Sequence, residues 1–333
     1  MAVKELGKTI GKSVTDKKSM QTELIKPGTL NTRFVFGSYE LTVKNTRILV
    51  ESQVIGSAMI WGNPSKGVYG TSTWGGSLPS YSTVETITVA QSVTNAGRVE
   101  IAKWLGGEAA TAPSHFGFGT GSTAYTVDDT ALETAVGRKA IDSRTLSTNS
   151  VTTKICIVNS IDTSLHGSAM REVGVFNAAA SGDLYSRYII TSLTMTNANN
   201  YRFTVDTTWY DTTPGRGIWT TVGLNEMRDW LGAASATAPI ETAWGTGTTN
   251  PAIADTTLEG EQERNAFTTT SRVNTVVTYE ALLAASEATS QDLYKSGLFN
   301  AAASGDLFVE QKFAKISKTA LFQVYEYDVI TVL

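Results

Sequence analysis

The chain has 333 residues, enough for two or three domains at roughly 150 residues each. Hydrophobic residues are 41% and charged residues only 17%, below the roughly 25% of an average soluble domain, so Thr, Ser, Asn and Gly must cover much of the surface. A formal net charge of −4 gives no positive field to attract phosphate backbones, which excludes nucleic acid as the expected main partner.

The single cysteine, Cys156, rules out an intrachain disulfide and a cysteine cage for zinc. It lies in the strand-like run from Val151 to Val158 and reads as a small core residue. No apolar run approaches the roughly 20 residues that span a bilayer, and the N-terminus lacks the apolar stretch of a signal peptide. No membrane partner and no export by the standard route are therefore expected.

Residues 1–90 read as an N-terminal arm followed by a β-rich attachment region. The first part carries Lys4, Lys8, Lys12, Lys17, Lys18 and Lys26 against Glu5, Asp16 and Glu23. It is a polar, locally basic arm, either solvated or docked on a neighbouring subunit. Arg33 to Val43 and Thr46 to Ile55 read as strands, and Gly62 to Gly70 and Gly75 to Pro79 as loops.

From about residue 91 the chain repeats itself. Trp104, Gly106, Thr111, Pro113, Gly119, Gly121, Asp129, Leu132, Glu133 and Arg138 recur as Trp230, Gly232, Thr237, Pro239, Gly245, Gly247, Asp255, Leu258, Glu259 and Arg264, at one offset of 126 (230 − 104). Further on, the run from Phe176 to Leu184 recurs unchanged as Phe299 to Leu307, at an offset of 123 (299 − 176). Two copies are too few for a solenoid, so each is expected to be a self-sufficient domain, 91–216 and 217–333, joined by a Pro-Gly linker over 211–217.

Each copy opens with a helical pattern, Ala96 to Leu105 ending in Gly106 and Gly107 and Leu224 to Leu231 ending in Gly232, the terminal glycine expected as C-cap and Trp104 and Trp230 as core anchors. Period-two segments follow. Val151, Thr153, Ile155 and Ile157 share one side of a strand, as do Val273, Thr275, Val277, Tyr279 and Ala281 in the second copy. Tyr201, Phe203, Val205, Thr207 and Trp209 share another side, and Tyr325, Tyr327, Val329 and Thr331 stand against Glu326 and Asp328. The repeated Asn-Ala-Ala-Ala-Ser-Gly-Asp segment reads as a hairpin turn. The expected fold is mainly β: an N-terminal β-rich region and two tandem antiparallel β-sandwich, jelly-roll-like modules, each with a short helix.

Chemistry is sparse. The only histidines, His115 and His166, have no metal-ligand spacing, and Glu241 replaces His115 in the second copy. Gly117 to Gly121 resembles a phosphate loop but lacks the Gly-Lys-Ser/Thr continuation, so it reads as close-packed strand. Asp128, Asp129, Asp183, Asp255 and Asp306 do not form a calcium loop and read as turn acids. Glu133 and Glu259 invite a glycosidase reading, but pairing with Arg138 and Arg264 explains them equally. No catalytic, cofactor or metal residues are expected, nor any cofactor, and the chain is expected not to be an enzyme.

The succession Gly119 to Thr123, Asp129 to Glu133, Arg138, Glu172 to Asn177 and Gly182 to Leu184 resembles a module of structural proteins in tailed bacteriophages and related proviruses. The resemblance covers residues 91–333. It implies a virion component of the tail fibre, baseplate, collar or head decoration, assembled in the host cytoplasm, with other copies of itself and other virion proteins as partners. The second copy departs from the pattern, with Lys295 at the place of Glu172. A different expectation is a receptor- or glycan-binding tail adhesin using Trp61, Tyr69, Trp74 and Tyr81 to stack on cell-surface sugars.

Overall fold

A computed structural model describes residues 31–54, 81–87, 93–147, 151–159, 161–211 and 217–333. The basic arm, the loops over 62–79 and most of the linker lie outside the described residues. The fold is mainly β, and each copy supplies both layers of a sandwich.

The N-terminal region contributes β1 (Asn31–Val54) and β2 (Ser82–Ile87). The first copy then runs α1 (Asn95–Leu105), β3 (His115–Gly119), β4 (Ala135–Ala140), β5 (Ser143–Ser147), β6 (Val151–Val158), β7 (Ala169–Phe176), β8 (Leu184–Thr194) and β9 (Asn199–Asp211). The second runs β10 (Gly217–Trp219), α2 (Thr221–Leu231), β11 (Glu241–Gly245), β12 (Glu261–Ala266), β13 (Thr269–Val273), β14 (Val276–Leu283), β15 (Gln291–Phe299), β16 (Leu307–Lys318) and β17 (Phe322–Val332). Order and pairing match element by element. One sheet of each copy is β4-β3-β7-β8 or its counterpart β10-β16-β15-β11-β12. In the latter, the pair Trp219 and Val309 on β10 and β16 matches the isolated bridge between Val93 and Ser186 in the first copy.

The other layer is shared. An eight-stranded sheet runs β13-β14-β17-β1-β9-β6-β5, with β2 paired to β1. The two expected strands of the N-terminal region are a single strand, β1, whose register shifts between Asn45 and Arg47. Its first part, Asn31 to Leu41, pairs in parallel with β17 of the second copy. From Leu41 to Val54 it pairs antiparallel with β9 of the first.

The helices cross between copies. Each lies on its own sheet, α1 on β8 and α2 on β16, but α1 also packs on β14 and β17, and α2 on β6. Tyr279 Oη donates to the Leu105 carbonyl at the end of α1 (2.8 Å), and Trp209 Nε1 donates to the Leu224 carbonyl of α2 (2.8 Å). Trp104 and Trp230 stack on each other, centroids 5.5 Å apart. They are core anchors, as their spacing predicts, and the core they anchor is common: one apolar cluster contains Phe118 and Phe203 of the first copy together with Tyr279 and Phe308 of the second. The expectation that each copy closes its own core is corrected here, because the helix of each is covered by strands of the other.

Helix ends follow local rules. Thr94 and Thr220 cap the N-termini, accepting from Gly97 N–H and Gly223 N–H at 3.1 Å. Glycine is needed at the latter because a Cβ on Gly223 would lie 2.5 Å from Phe308 backbone. At the C-termini Gly106 and Gly232 are the caps, as expected, and the residue after each, Gly107 (φ +70) and Ala233 (φ +56), is left-handed. Glu108 N–H to Lys103 O and Ala234 N–H to Asp229 O close Schellman turns in both copies.

The repeated hairpin is also as expected. Asn177 accepts from Asp183 N–H and Asn300 from Asp306 N–H, both at 2.7 Å, with Ser181 and Ser304 in the left-handed region.

Because the core is common, Trp104→Ala is expected to cost about 3–5 kcal/mol and to lower amide protection in strands of both copies. Hydrogen exchange followed by mass spectrometry checks this; loss confined to residues 93–211 would contradict a shared core.

Candidate functional site

Two buried polar clusters stand out, and both differ between copies. The first lies under the loop that crosses the sheet between β3 and β4. Glu172 on β7 is fully buried and accepts from the backbone N–H groups of Gly121 (3.1 Å), Thr134 (2.9 Å) and Glu133 (3.1 Å). Arg187 on β8, also buried, donates to it at 2.7 Å and reaches Asp129 at 2.9 Å. These bonds offset the desolvation of both charges.

In the second copy the signs are exchanged. Lys295 stands at the place of Glu172, and Glu310 at the place of Arg187 (310 − 187 = 123). Lys295 Nζ lies 2.8 Å from Glu310 and 3.3 Å from Glu259, with both members of the main pair buried. A lysine cannot accept a hydrogen bond, so the Gly247 N–H, counterpart of Gly121, turns to the Glu259 carbonyl instead. Burial pushes the Glu310 carboxyl up to about 7, against the pull of Lys295, and Asp255 beside it pushes the same way.

The second cluster fills the sandwich of the second copy between β17 and its opposing sheet. In the first copy this interior is apolar: Phe118, Val173, Tyr188, Phe203 and Val205, with Phe118 edge-on to Phe203 at 4.9 Å. The counterparts are Trp244, Ser296, Gln311, Glu326 and Asp328, and the register confirms the match, since Phe203 faces Cys156 on β6 as Glu326 faces Ala281 on β14. Gln311 Nε2 donates to Glu326 (2.9 Å), to Asp328 (3.3 Å) and to Ser296 Oγ (3.1 Å), and Ser296 Oγ donates to Glu326. Tyr39 of β1 donates its hydroxyl to Asp328 at 3.3 Å. Both carboxyls lie on the buried side of β17, two residues apart, and Gln311 Nε2 ties one to the other. Burial raises both, Glu326 to about 7, and the neighbouring Glu326 raises Asp328 further.

Alternation along β17 is as read from the sequence, but the buried side is the one with Glu326 and Asp328, while Tyr325, Tyr327, Val329 and Thr331 are half-buried on the other. β6 likewise buries Lys154, Cys156 and Val158. Lys154, at the position of Tyr279, donates to Thr207 Oγ1 (3.1 Å) beside a cavity of about 20 Å³ that Leu231 also lines. Burial lowers its amine to about 7, with Arg144 pushing the same way.

The residues weighed in the sequence separate into different places. Asp129 and Asp255 close turns with Thr126 and Ala252, and Asp183 and Asp306 lock the hairpins. The expected pairs of Glu133 with Arg138 and Glu259 with Arg264 are not formed. Glu133 instead accepts from Ser122 and Thr123 N–H, each at 2.9 Å, which lowers its pKa. Arg138 lies 3.5 Å over the Phe176 ring and holds the Ala178 carbonyl, and Arg264 does the same with Phe299 and Ala301. Gly117 runs close-packed against Phe176, which a Cβ would meet at 2.5 Å. His115 pairs with Ser114, and burial lowers its pKa. Of the aromatic set, Trp61, Tyr69 and Trp74 lie outside the described residues, and one face of the Tyr81 ring is taken by Arg202.

Among the described residues no group of three or more His, Cys, Asp or Glu side chains is placed to hold a metal ion. No helix among them is long and apolar enough to cross a membrane. Comparison of the chain with protein-family models, with curated proteins and with solved structures finds no match. Chemically, the clusters are suited to hold and release protons and to fix neighbouring strands.

Removing one partner of a buried pair strands the other. Lys295→Met is expected to destabilise by about 3–5 kcal/mol, and Lys295→Met with Glu310→Met to recover most of that, both read by urea unfolding. Lys154 has a folded pKa below its unfolded value, so the unfolded chain binds the extra proton between about pH 7 and pH 10.5 and this group's contribution to stability rises across that window. Lys154→Met is expected to remove that rise, checked by thermal unfolding at pH 7 and pH 10.

Proposed function

We propose that this chain is a non-enzymatic structural protein of a tailed-virus particle, assembling on the capsid, neck or tail with further copies of itself and other virion proteins. The observation that carries the reading is the reversed ion pair: Glu172 with Arg187 in one copy, Lys295 with Glu310 in the other. A substrate or ligand site needs a particular charge at a particular place, whereas a scaffold needs only that buried charges be paired. The copies keep capped helices, stacked tryptophans and hairpin clamps while reversing this pair, which is the pattern of a duplicated scaffold. The resemblance of residues 91–333 to tailed-phage structural modules supports the same reading.

The test is localisation on particles. Virions from cells that carry this sequence are purified and labelled with an antibody against the chain. Label on the shell, neck or tail shaft is the expected result; label only at the distal tail tip turns the reading to a glycan- or receptor-binding adhesin. Recovery of the chain solely in particle-free fractions overturns it.

A further inference from the structure

Among the described residues, the acid cluster sits where β1 has the fewest strand partners. There residues 31–40 of β1 pair with β17 alone, whereas 41–54 pair with β9 and part of that stretch with β2 as well. In the singly paired part, Tyr39 reaches into the sandwich and binds Asp328, packed against Gly217 of β10. Gly37 pairs with Asp328 in register, and a Cβ there would collide with the Asp328 carboxyl and crowd Gln311. The attachment of β1 to the second copy therefore runs through the Asp328 carboxyl, which Gln311 ties to Glu326.

The groups facing the pair are Tyr39 from β1, Tyr279 from β14, Trp244 from β11, Ser296 from β15 and Gln311 from β16. None of these is a cation. Lys295 sits with Glu310 and Glu259 under the crossing loop, as Glu172 does in the first copy. Ionisation of Glu326 puts a negative charge beside a second acid in a buried space that no cation in this group faces, which favours opening to water. The first copy, with Phe203 and Val205 at these positions, has no such response.

We propose that Glu326 and Asp328 form a proton-operated clasp, which holds residues 31–40 of β1 on the second copy while the pair is uncharged and releases them when it ionises. Burial places the first ionisation, that of Glu326, near neutrality: its carboxyl in the fold keeps a proton that the unfolded chain gives up from about pH 4.5, so its stabilisation declines from there to about pH 7 and is gone above it. Residues 41–54 stay on β9, and the two copies stay joined through their helices.

Hydrogen exchange of the full chain at pH 6 and pH 8.5, corrected for intrinsic rates, tests the clasp. Protection of residues 31–40 is expected to fall by about tenfold or more while that of 44–54 is unchanged, the counterpart of at least one pKa unit of linkage. Glu326→Gln with Asp328→Asn, which keeps shape and hydrogen bonding without charge, is expected to keep protection at both pH values. Glu326→Gln alone, which removes that first ionisation, serves the same purpose if the double variant fails to fold. Equal protection of 31–40 at both pH values in the unaltered chain, the same fall in the variants, or a fall of equal size across β9 and β15 overturns the proposal.

Discussion

A β-strand has two edges, and in this protein the edges of β1 belong to different copies. β17 takes one edge of its first part and β9 the other edge of its second part, with Leu41 paired to both Val332 and Asp211 at the change-over. A short overlap of that kind sets the relative placement of the copies through backbone hydrogen bonds. The helices then follow: with β9 and β17 fixed on β1, α1 lies over β14 and β17, and α2 over β6, so that Trp104 meets Trp230. Neither copy covers its own helix on both sides, which makes the apolar core one body.

Duplication relaxed the chemistry inside that frame in an uneven way. One polar position pair kept its neutrality by changing both signs, Glu172 with Arg187 becoming Lys295 with Glu310. Another region exchanged an apolar interior for acids. Burying Glu326 and Asp328 where Phe203 and Val205 would pack costs free energy that the Gln311, Ser296 and Tyr39 bonds only partly offset. A costly feature confined to the copy that grips the N-terminal strand fits the role of a releasable joint. The scaffold reading and the clasp are compatible, since a part that joins an assembly gains from a contact that solution conditions can loosen.

Several features were legible because they are local. Asn-Ala-Ala-Ala-Ser-Gly-Asp between two apolar runs forms a hairpin wherever it occurs, because its Asn and Asp lock the turn from within. The helices and their caps at Gly106 and Gly232 could be placed from apolar spacing and terminal glycines. The buried side of β17 was not legible, because alternation says that two sides differ without saying which is inward. Aligning the copies at the offset of 123 decides it, since it puts Glu326 and Asp328 on the same side as Tyr201, Phe203 and Trp209. The same alignment reveals Glu310 as the partner that accompanies Lys295.

Sequence by itself determined the β-rich class, the duplication, the tryptophan anchors and the turns, each of which is written in neighbouring residues or in a fixed internal spacing. Tertiary structure decided that the copies share a sheet and exchange helix cover, and that Arg138 clamps Phe176 rather than Glu133. It also decided that Tyr39 meets Asp328 across 289 positions of chain. The reason is physical: strand edges, helix faces and buried charges acquire partners only when distant segments are brought together, and one chain pattern is compatible with several such pairings until packing selects among them.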